Sequence, residues 1–219
     1  MERGKMIVLC GIDGCGKSSI IRSITEKTGE FADYLKMKHP PKAWFDNPRI
    51  RAAYLDGEGE KIKDEDELPL VHEMRKQEEK EILIPGMLNH QNFIFHRYIF
   101  SLYAYYVGIG KFSIEYLTEF YGDLLLPDKV IYLKISEEEF YRRFQKKEQL
   151  SYQKNPEYVR RVMTGYETLA HMYDWEIVDT EKNSLENASE IVKEMISKVT
   201  PDRTFYDMKK RVYDIDRNK

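Results

Sequence analysis

Gly11-Ile12-Asp13-Gly14-Cys15-Gly16-Lys17-Ser18 decides the reading of this chain. The stretch fits G-x-x-x-x-G-K-[ST], a loop whose glycines let the backbone wrap closely around an anion. Successive N–H groups, and the N-terminus of the helix behind them, then point at phosphate oxygens. The flanks are the ones such a loop needs. Met6-Ile7-Val8-Leu9-Cys10 is a short apolar run, the pattern of a buried parallel strand, and Ser18 to Lys27 carries Ile20, Ile21 and Ile24 at helical spacing. Strand, loop and helix together imply a bound nucleoside triphosphate. Gly11, Asp13, Gly14, Cys15, Gly16, Lys17, Ser18 and Ser19 are expected to line it, with Lys17 on the β- and γ-phosphates and the Ser18 hydroxyl on Mg²⁺.

Outward from the loop, strands alternate with helices. Tyr34 to Lys38 reads as a second strand, stopped by His39-Pro40-Pro41, and Trp44 to Leu55 reads as a helix. Residues Asp56 to Glu67 hold seven acids against two lysines, a composition that predicts a solvated loop. Leu70 to Asn89 predicts one long helix with a kink at Pro85. Asn92 to Phe95 is a third strand, with His96-Arg97-Tyr98 at its carboxyl end, where ligands sit in open α/β sheets. Helices are expected over Ile99 to Val107 and Phe112 to Leu126, and a fourth strand over Lys129 to Ile135. Ser136 is an N-cap signal with Glu137, Glu138 and Glu139 in the first turn behind it. That helix ends in the basic cluster Arg142-Arg143-Phe144-Gln145-Lys146-Lys147. A helix from Pro156 to about Tyr173, a strand over Trp175 to Asp179 and a helix over Leu185 to Val199 complete the pattern. The expectation is one α/β domain over residues 1–200: a five-stranded parallel sheet with helices on both faces, and a basic lid over about 142–155. Residues 201–219 are expected as an extension packed on it.

The 219 residues suffice for one well-filled core. A net charge of −3 gives no electrostatic argument for nucleic acid or an anionic membrane. No signal peptide and no apolar run of spanning length is visible, so a cytoplasmic protein is expected. The two cysteines, Cys10 and Cys15, sit at a strand end and in the loop, and no structural disulfide is expected between them.

In the order and spacing of several motifs the chain resembles the thymidylate kinase family of P-loop nucleoside monophosphate kinases. The family's G-[LI]-[DE]-G-x-G-K-[ST] is matched by Gly11 to Ser18, and its Arg-x-Pro by Lys38-His39-Pro40 with lysine for arginine. Its Leu-Arg pair is similar to Ile50-Arg51, and a base-contacting arginine falls on Arg75, ten residues before Pro85. Its D-R-[YH] signature, with Ser, Ala, Tyr and Gln following, resembles His96-Arg97-Tyr98, Ser101, Ala104, Tyr105 and Tyr106. Pro127 to Leu133 is similar to its P-D-x-x-[IL]-Y-L strand, and Tyr166-Glu167-Thr168-Leu169-Ala170 to its Y-x-x-L-A.

The resemblance implies transfer of the γ-phosphoryl group from ATP to dTMP, with Mg²⁺, in a homodimer. It implies a donor site at Lys17 and the loop, and an acceptor site of Asp13, Lys38, Arg51, Arg75, Arg97, Tyr105 and Tyr106. In it Asp13 reads the sugar 3′-hydroxyl. Arg97 serves the acceptor phosphate or the transferred group, and Arg51 and Lys38 complete the phosphate site. Because Cys15 stands where some members carry a basic residue, the catalytic charge is expected from the lid, Arg143 first among Arg142, Arg143, Lys146 and Lys147. Three positions depart from the family pattern. His96 replaces an acid, Val71 replaces the ring that stacks on thymine (with His72 and Tyr105 near), and Tyr106 replaces a base-reading Gln. They weaken thymine selectivity more than kinase chemistry. A related kinase with another nucleoside or monophosphate acceptor, or a weakly catalytic nucleotide-binding regulator, are the alternatives.

Overall fold

The first strand, β1 (Met6–Cys10), is buried at every residue, as a continuous apolar run must be when both faces of a parallel sheet are covered. In the computed structural model, which describes residues 3–26, 29–41, 44, 46–48, 51, 64–144 and 154–201, β1 lies at the centre of a five-stranded sheet. The other strands are β2 (Leu35–Lys38), β3 (Phe93–His96), β4 (Lys129–Lys134) and β5 (Glu176–Asp179), in the order β2-β3-β1-β4-β5. All pairings are parallel, so all carboxyl ends open on one edge, and β1 is flanked there by His96 of β3 and Tyr132 of β4. At the opposite end Arg3 grips Asp128 through Nη1 at 2.9 Å and Nη2 at 2.5 Å, and Asp128 Oδ2 accepts the Met6 N–H at 2.8 Å. That bidentate pair fixes the starts of β1 and β4 together.

The helices are α1 (Lys17–Ile24), α2 (Asp64–Glu78), α3 (Ile84–Leu88), α4 (Ile99–Gly108), α5 (Ile114–Tyr121), α6 (Glu137–Phe144), α7 (Pro156–Met172) and α8 (Leu185–Ser197). Helix starts follow their caps. The Ser136 hydroxyl accepts the Glu139 N–H at 3.1 Å, Asn155 accepts those of Glu157 and Tyr158, and Ser184 accepts that of Asn187.

Two expectations are corrected. The long helix expected over Leu70 to Asn89 begins earlier, at Asp64, inside the acidic stretch read as loop, and is divided by a π-turn at Glu79–Leu83. Acids in a first turn favour the positive end of the helix dipole. Pro85, which has no N–H to donate back along the helix, sits in the first turn of α3, and the chain widens before it. Helix α5 stops at Tyr121 instead of Leu126. Beyond it Leu124 and Leu125 are buried, and Glu79 Oε1 draws in the Leu125 N–H at 2.5 Å. Most of the expected helix over Trp44 to Leu55, the acidic residues 56–63, lid residues 145–153 and the tail 202–219 lie outside the described residues. No described helix is long and apolar enough to cross a membrane.

Helices α4 and α7 cross at backbone contact. A Cβ on Gly165 would lie 2.0 Å from the Ala104 carbonyl oxygen, and one on Gly108 would lie 2.2 Å from that of Arg161. Backbone cannot yield as a flexible side chain can. Gly165→Ala is therefore expected to push the helices apart and to lower unfolding free energy by about 1–3 kcal/mol, the usual cost of overpacking. The urea midpoint measures it, and an unchanged midpoint would refute the crossing as described.

Candidate active site

At the carboxyl end of β1 the chain turns through three glycines in the positive-φ region, Gly11 (φ 136°), Gly14 (φ 78°) and Gly16 (φ 99°), before α1 begins at Lys17. The tightest fit is at Gly11, where a Cβ would lie 2.5 Å from the Leu133 carbonyl oxygen, and one on Gly14 would lie 2.6 Å from the Phe144 ring. Lys17 is 3% exposed, and its ammonium donates to the carbonyls of Gly11 at 2.9 Å and Ile12 at 2.7 Å and to Cys15 Sγ at 3.3 Å. Burial first, and Arg97 second, lower its pKa from the ordinary lysine value. An arriving polyanion would reverse that trend. Ser18, the next residue, is exposed, whereas Cys15 is buried and Ser19 half-buried.

Beside the loop, β3 ends in His96, and Arg97 follows with φ 69°. A non-glycine residue there carries strain of order 1–3 kcal/mol. The surroundings hold it: its N–H donates to the Leu9 carbonyl at 2.9 Å, and its guanidinium is gripped from three elements. Nη2 donates to Asp13 Oδ1 at 2.9 Å and to the Tyr105 hydroxyl at 3.4 Å, and Nη1 donates to the Tyr166 hydroxyl. The Tyr105 ring also lies under the guanidinium, 5.4 Å from its centroid. Burial pushes both tyrosine pKa values up, so each hydroxyl accepts from Arg97 and keeps its own proton to donate. Lys17, Asp13, Arg97 and Tyr105, all expected in the site, are thus brought together. Tyr166 joins them; the sequence carried its motif but no signal of its reach.

On the other flank Arg143, in the last turn of α6, spans three groups. Nε donates to Glu139 Oε1 at 2.5 Å, Nη1 to the Gly14 carbonyl at 3.0 Å, and Nη2 to the Thr180 carbonyl at 2.7 Å. Thr180, just past β5, donates its hydroxyl to the Cys15 carbonyl at 2.9 Å. Arg142 also pairs with Glu139, and the two arginines together, Arg142 first, hold that carboxyl down at about 2. The glycine loop is therefore tied to β5 and α6 as well as to its own strand. Thr180 had no signature in the sequence, since it belongs to no motif and acts across the fold, and Glu139 was marked only as an acid in the first turn of its helix.

The acceptor candidates divide. Lys38 ends β2 directly across from His96 in register and is exposed. Arg51 is exposed as well. Arg75 is 5% exposed, its guanidinium over the rings of Trp44 and Tyr98 at 4.8 and 5.0 Å, with Nη1 hydrogen-bonded to His39 Nδ1. Tyr106 is not brought to Arg97: its ring packs on Phe112 and lies under Lys111. Val71 is in the core, and His72 reaches away to Asp123 at 2.7 Å. His96 faces the cations. Burial first, then Lys17, Arg97 and Lys38, push its pKa down to about 3, and its buried Nδ1 has no hydrogen-bond partner among the described residues. Two cations and an aspartate at adjacent strand ends suit the handling of transferable phosphate.

A family model described as Thymidylate kinase matches residues 9–207. The chain is 30% identical to the thymidylate kinase of Caldanaerobacter subterraneus subsp. tengcongensis over 168 residues, 75% of this chain and 80% of the relative. It is 29% identical to that of Coprothermobacter proteolyticus, covering 75% and 84%, and 27% identical to that of Prochlorococcus marinus, covering 89% and 96%.

His96 also yields a pH prediction. Its folded pKa is depressed, so the unfolded chain binds the extra proton between pH 6.5 and about 3, and stability is lost as pH falls through that window. His96→Gln removes this loss. Between pH 7 and pH 5 the wild type should lose up to about 2 kcal/mol more unfolding free energy than the variant. Urea titrations at both values check it, and parallel losses would refute a neutral, buried His96.

Proposed function

The chain belongs to the thymidylate kinase family, and from that premise we propose that it transfers the γ-phosphoryl group of ATP to dTMP, giving ADP and dTDP. The observation that carries the reading is the meeting of Lys17 and Asp13 with Arg97 at the neighbouring carboxyl ends of β1 and β3. In the step itself the bond from γ-phosphorus to the β,γ-bridging oxygen breaks, and a bond to an oxygen of the acceptor phosphate forms. Such transfers ask a protein mainly to align two anions and to neutralise the moving charge.

Lys17 takes the β- and γ-oxygens in exchange for the carbonyls of Gly11 and Ile12. Arg97 takes the acceptor phosphate or the moving group, held at the right angle by Tyr105 and Tyr166, while Asp13 serves the acceptor sugar. Lys38 and Arg51, both exposed, supply further charge to the acceptor phosphate, and Arg75 serves the base edge. Arg143, bound to the Gly14 carbonyl, sets the loop and brings lid charge to its rim. The residues fit a magnesium ion carried in on ATP. The Ser18 hydroxyl is exposed beside Lys17, and among the described residues no group of three His, Cys, Asp or Glu side chains forms a dedicated cage. The Ser18 hydroxyl would help to hold such an ion, which would supply charge neutralisation for the transferred phosphoryl group. A homodimer, a cytoplasmic location, a lid over about 142–155 and a packed extension over 201–219 belong to the same reading, supported by the family resemblance.

A coupled ADP-release assay over dTMP, dUMP, dCMP and dGMP tests the acceptor. Turnover of dTMP is expected, with a preference over dUMP below a thousandfold, because Val71 brings no stacking ring and Tyr106 no amide to the base. No turnover of dTMP sinks the proposal, and efficient turnover of another monophosphate replaces it. Lys17→Ala should fold yet lose more than tenfold in kcat, at least about 1.4 kcal/mol of transition-state stabilisation.

A further inference from the structure

Beneath the acceptor side lies a buried cluster that the phosphoryl-transfer scheme does not use. His39, directly after β2, is 2% exposed, and its ring is stacked on Phe95 with centroids 5.1 Å apart and planes 8° from parallel. Trp44 and Tyr98 meet the same ring edge-on at 5.9 and 5.6 Å. The imidazole therefore has one orientation. Its Nδ1 meets Arg75 Nη1, and its Nε2 lies 3.2 Å from Glu78 Oε2. That approach is an ion-pair distance without hydrogen-bond alignment, for neither Nε2 nor Oε2 has a hydrogen-bond partner among the described residues.

The protonation pattern follows from donor inventory. A guanidinium can only donate, so Nδ1 must be the accepting nitrogen, and the ring proton sits on Nε2, facing Glu78. Burial first, then Arg75 and His96, keep the ring neutral, with its pKa well below the ordinary value. We propose that His39 is a positioning residue for the acceptor site: neutral and pinned between Glu78 and Arg75, it fixes the plane of the Arg75 guanidinium, and Glu78 selects the tautomer that lets it do so. The proposal rests on the reading of Arg75 as an acceptor contact.

A consequence is a dependence of acceptor binding on pH. Burial first pushes the Glu78 carboxyl up to about 7, with Arg75 opposing and Glu79 adding. Among the described residues, the titratable groups that face it are Arg75, His39, Glu79 and Tyr98. Arg75 lies 3.7 Å away on its own helix, and His39 faces it from the end of β2. Glu79 is occupied by the Leu125 N–H, the Tyr98 hydroxyl and Lys76. Above pH 7 the carboxylate charge, 3.2 Å from Nε2, favours the Nε2–H tautomer. Below it the protonated carboxyl no longer biases the ring, and the hold of His39 on Arg75 loosens.

Steady-state constants decide this, measured on the whole chain with dTMP as the varied acceptor. His39→Leu should raise the acceptor KM tenfold or more, with kcat and the ATP KM within twofold. His39→Asn, which keeps an accepting oxygen near the Nδ1 position, should restore most of the loss. In the wild type the acceptor KM should fall several-fold between pH 6 and pH 8, and in Glu78→Gln it should be high and flat. An acceptor KM unmoved by His39→Leu, equal losses in His39→Leu and His39→Asn, or a pH slope that survives Glu78→Gln would each overturn the proposal. If His39→Leu does not fold, His39→Asn and the Glu78→Gln profile still decide it. Turnover of a different monophosphate would overturn the dTMP assignment alone, and the same constants read with that acceptor would judge His39.

Discussion

One guanidinium joins the parts that must act together. Arg97 is bonded to the glycine loop through Asp13, to α4 through Tyr105 and to α7 through Tyr166. Its side chain is 11% exposed, and a charge placed that deep is tolerated only with its donors satisfied and an opposite charge in contact. Removing any one partner would leave a mostly buried cation short of an acceptor. The positive φ at Arg97 belongs to the same constraint. The backbone turns sharply as β3 ends, and the turn aims the side chain back over the β1 loop instead of along α4.

The reach of Tyr166 to Arg97 depends in turn on how closely α4 and α7 approach. Ala104, Gly108 and Gly165 remove side chains at the crossing, so the helices meet backbone to backbone. A tyrosine on α7 then arrives within hydrogen-bond distance of an arginine that precedes α4. Its ring meanwhile stacks on Tyr132 of β4 with centroids 5.5 Å apart, fixing the hydroxyl from below. Packing and chemistry are here one constraint. Anything that spreads the helices withdraws a hydrogen bond from the Arg97 guanidinium.

The parts of this site that could be read from sequence are those whose determinants are local. Gly11 to Ser18 is contiguous, and its strand and helix are written in the neighbouring residues. Arg97 follows a four-residue apolar strand, so its place at a carboxyl end could be inferred once the sheet was. The start of α2 could not, because acidic residues suit both a solvated loop and a helix N-terminus, and composition does not choose. The early stop of α5 depends on Glu79, 46 residues before Leu125, a contact no periodicity announces. The clasp of Arg143 on the Gly14 carbonyl spans 129 residues, and the hold of His39 on Arg75 spans 36. Neither is local: the first joins the turn after β1 to the helix after β4, and the second joins the end of β2 to α2.

Net charge is a poor guide to such a site. The chain carries −3 overall, yet Lys17, Arg97 and Lys38 converge on one histidine at the end of β3. Burial gives the charges of Lys17 and Arg97 weight that the exposed Lys38 lacks, because solvent screens them less. His96 responds by staying neutral, so it adds no positive charge to a region that already has three cations. Nor does it supply the negative charge an acid would bring there. The field at the carboxyl edge is therefore more positive than an acid at position 96 would leave it. A more positive edge favours two bound phosphate groups in the ground state as well as in the transition state. Uniform tightening of that kind lowers KM without raising kcat. The residue at position 96 thus bears on how strongly anions would be held at this edge.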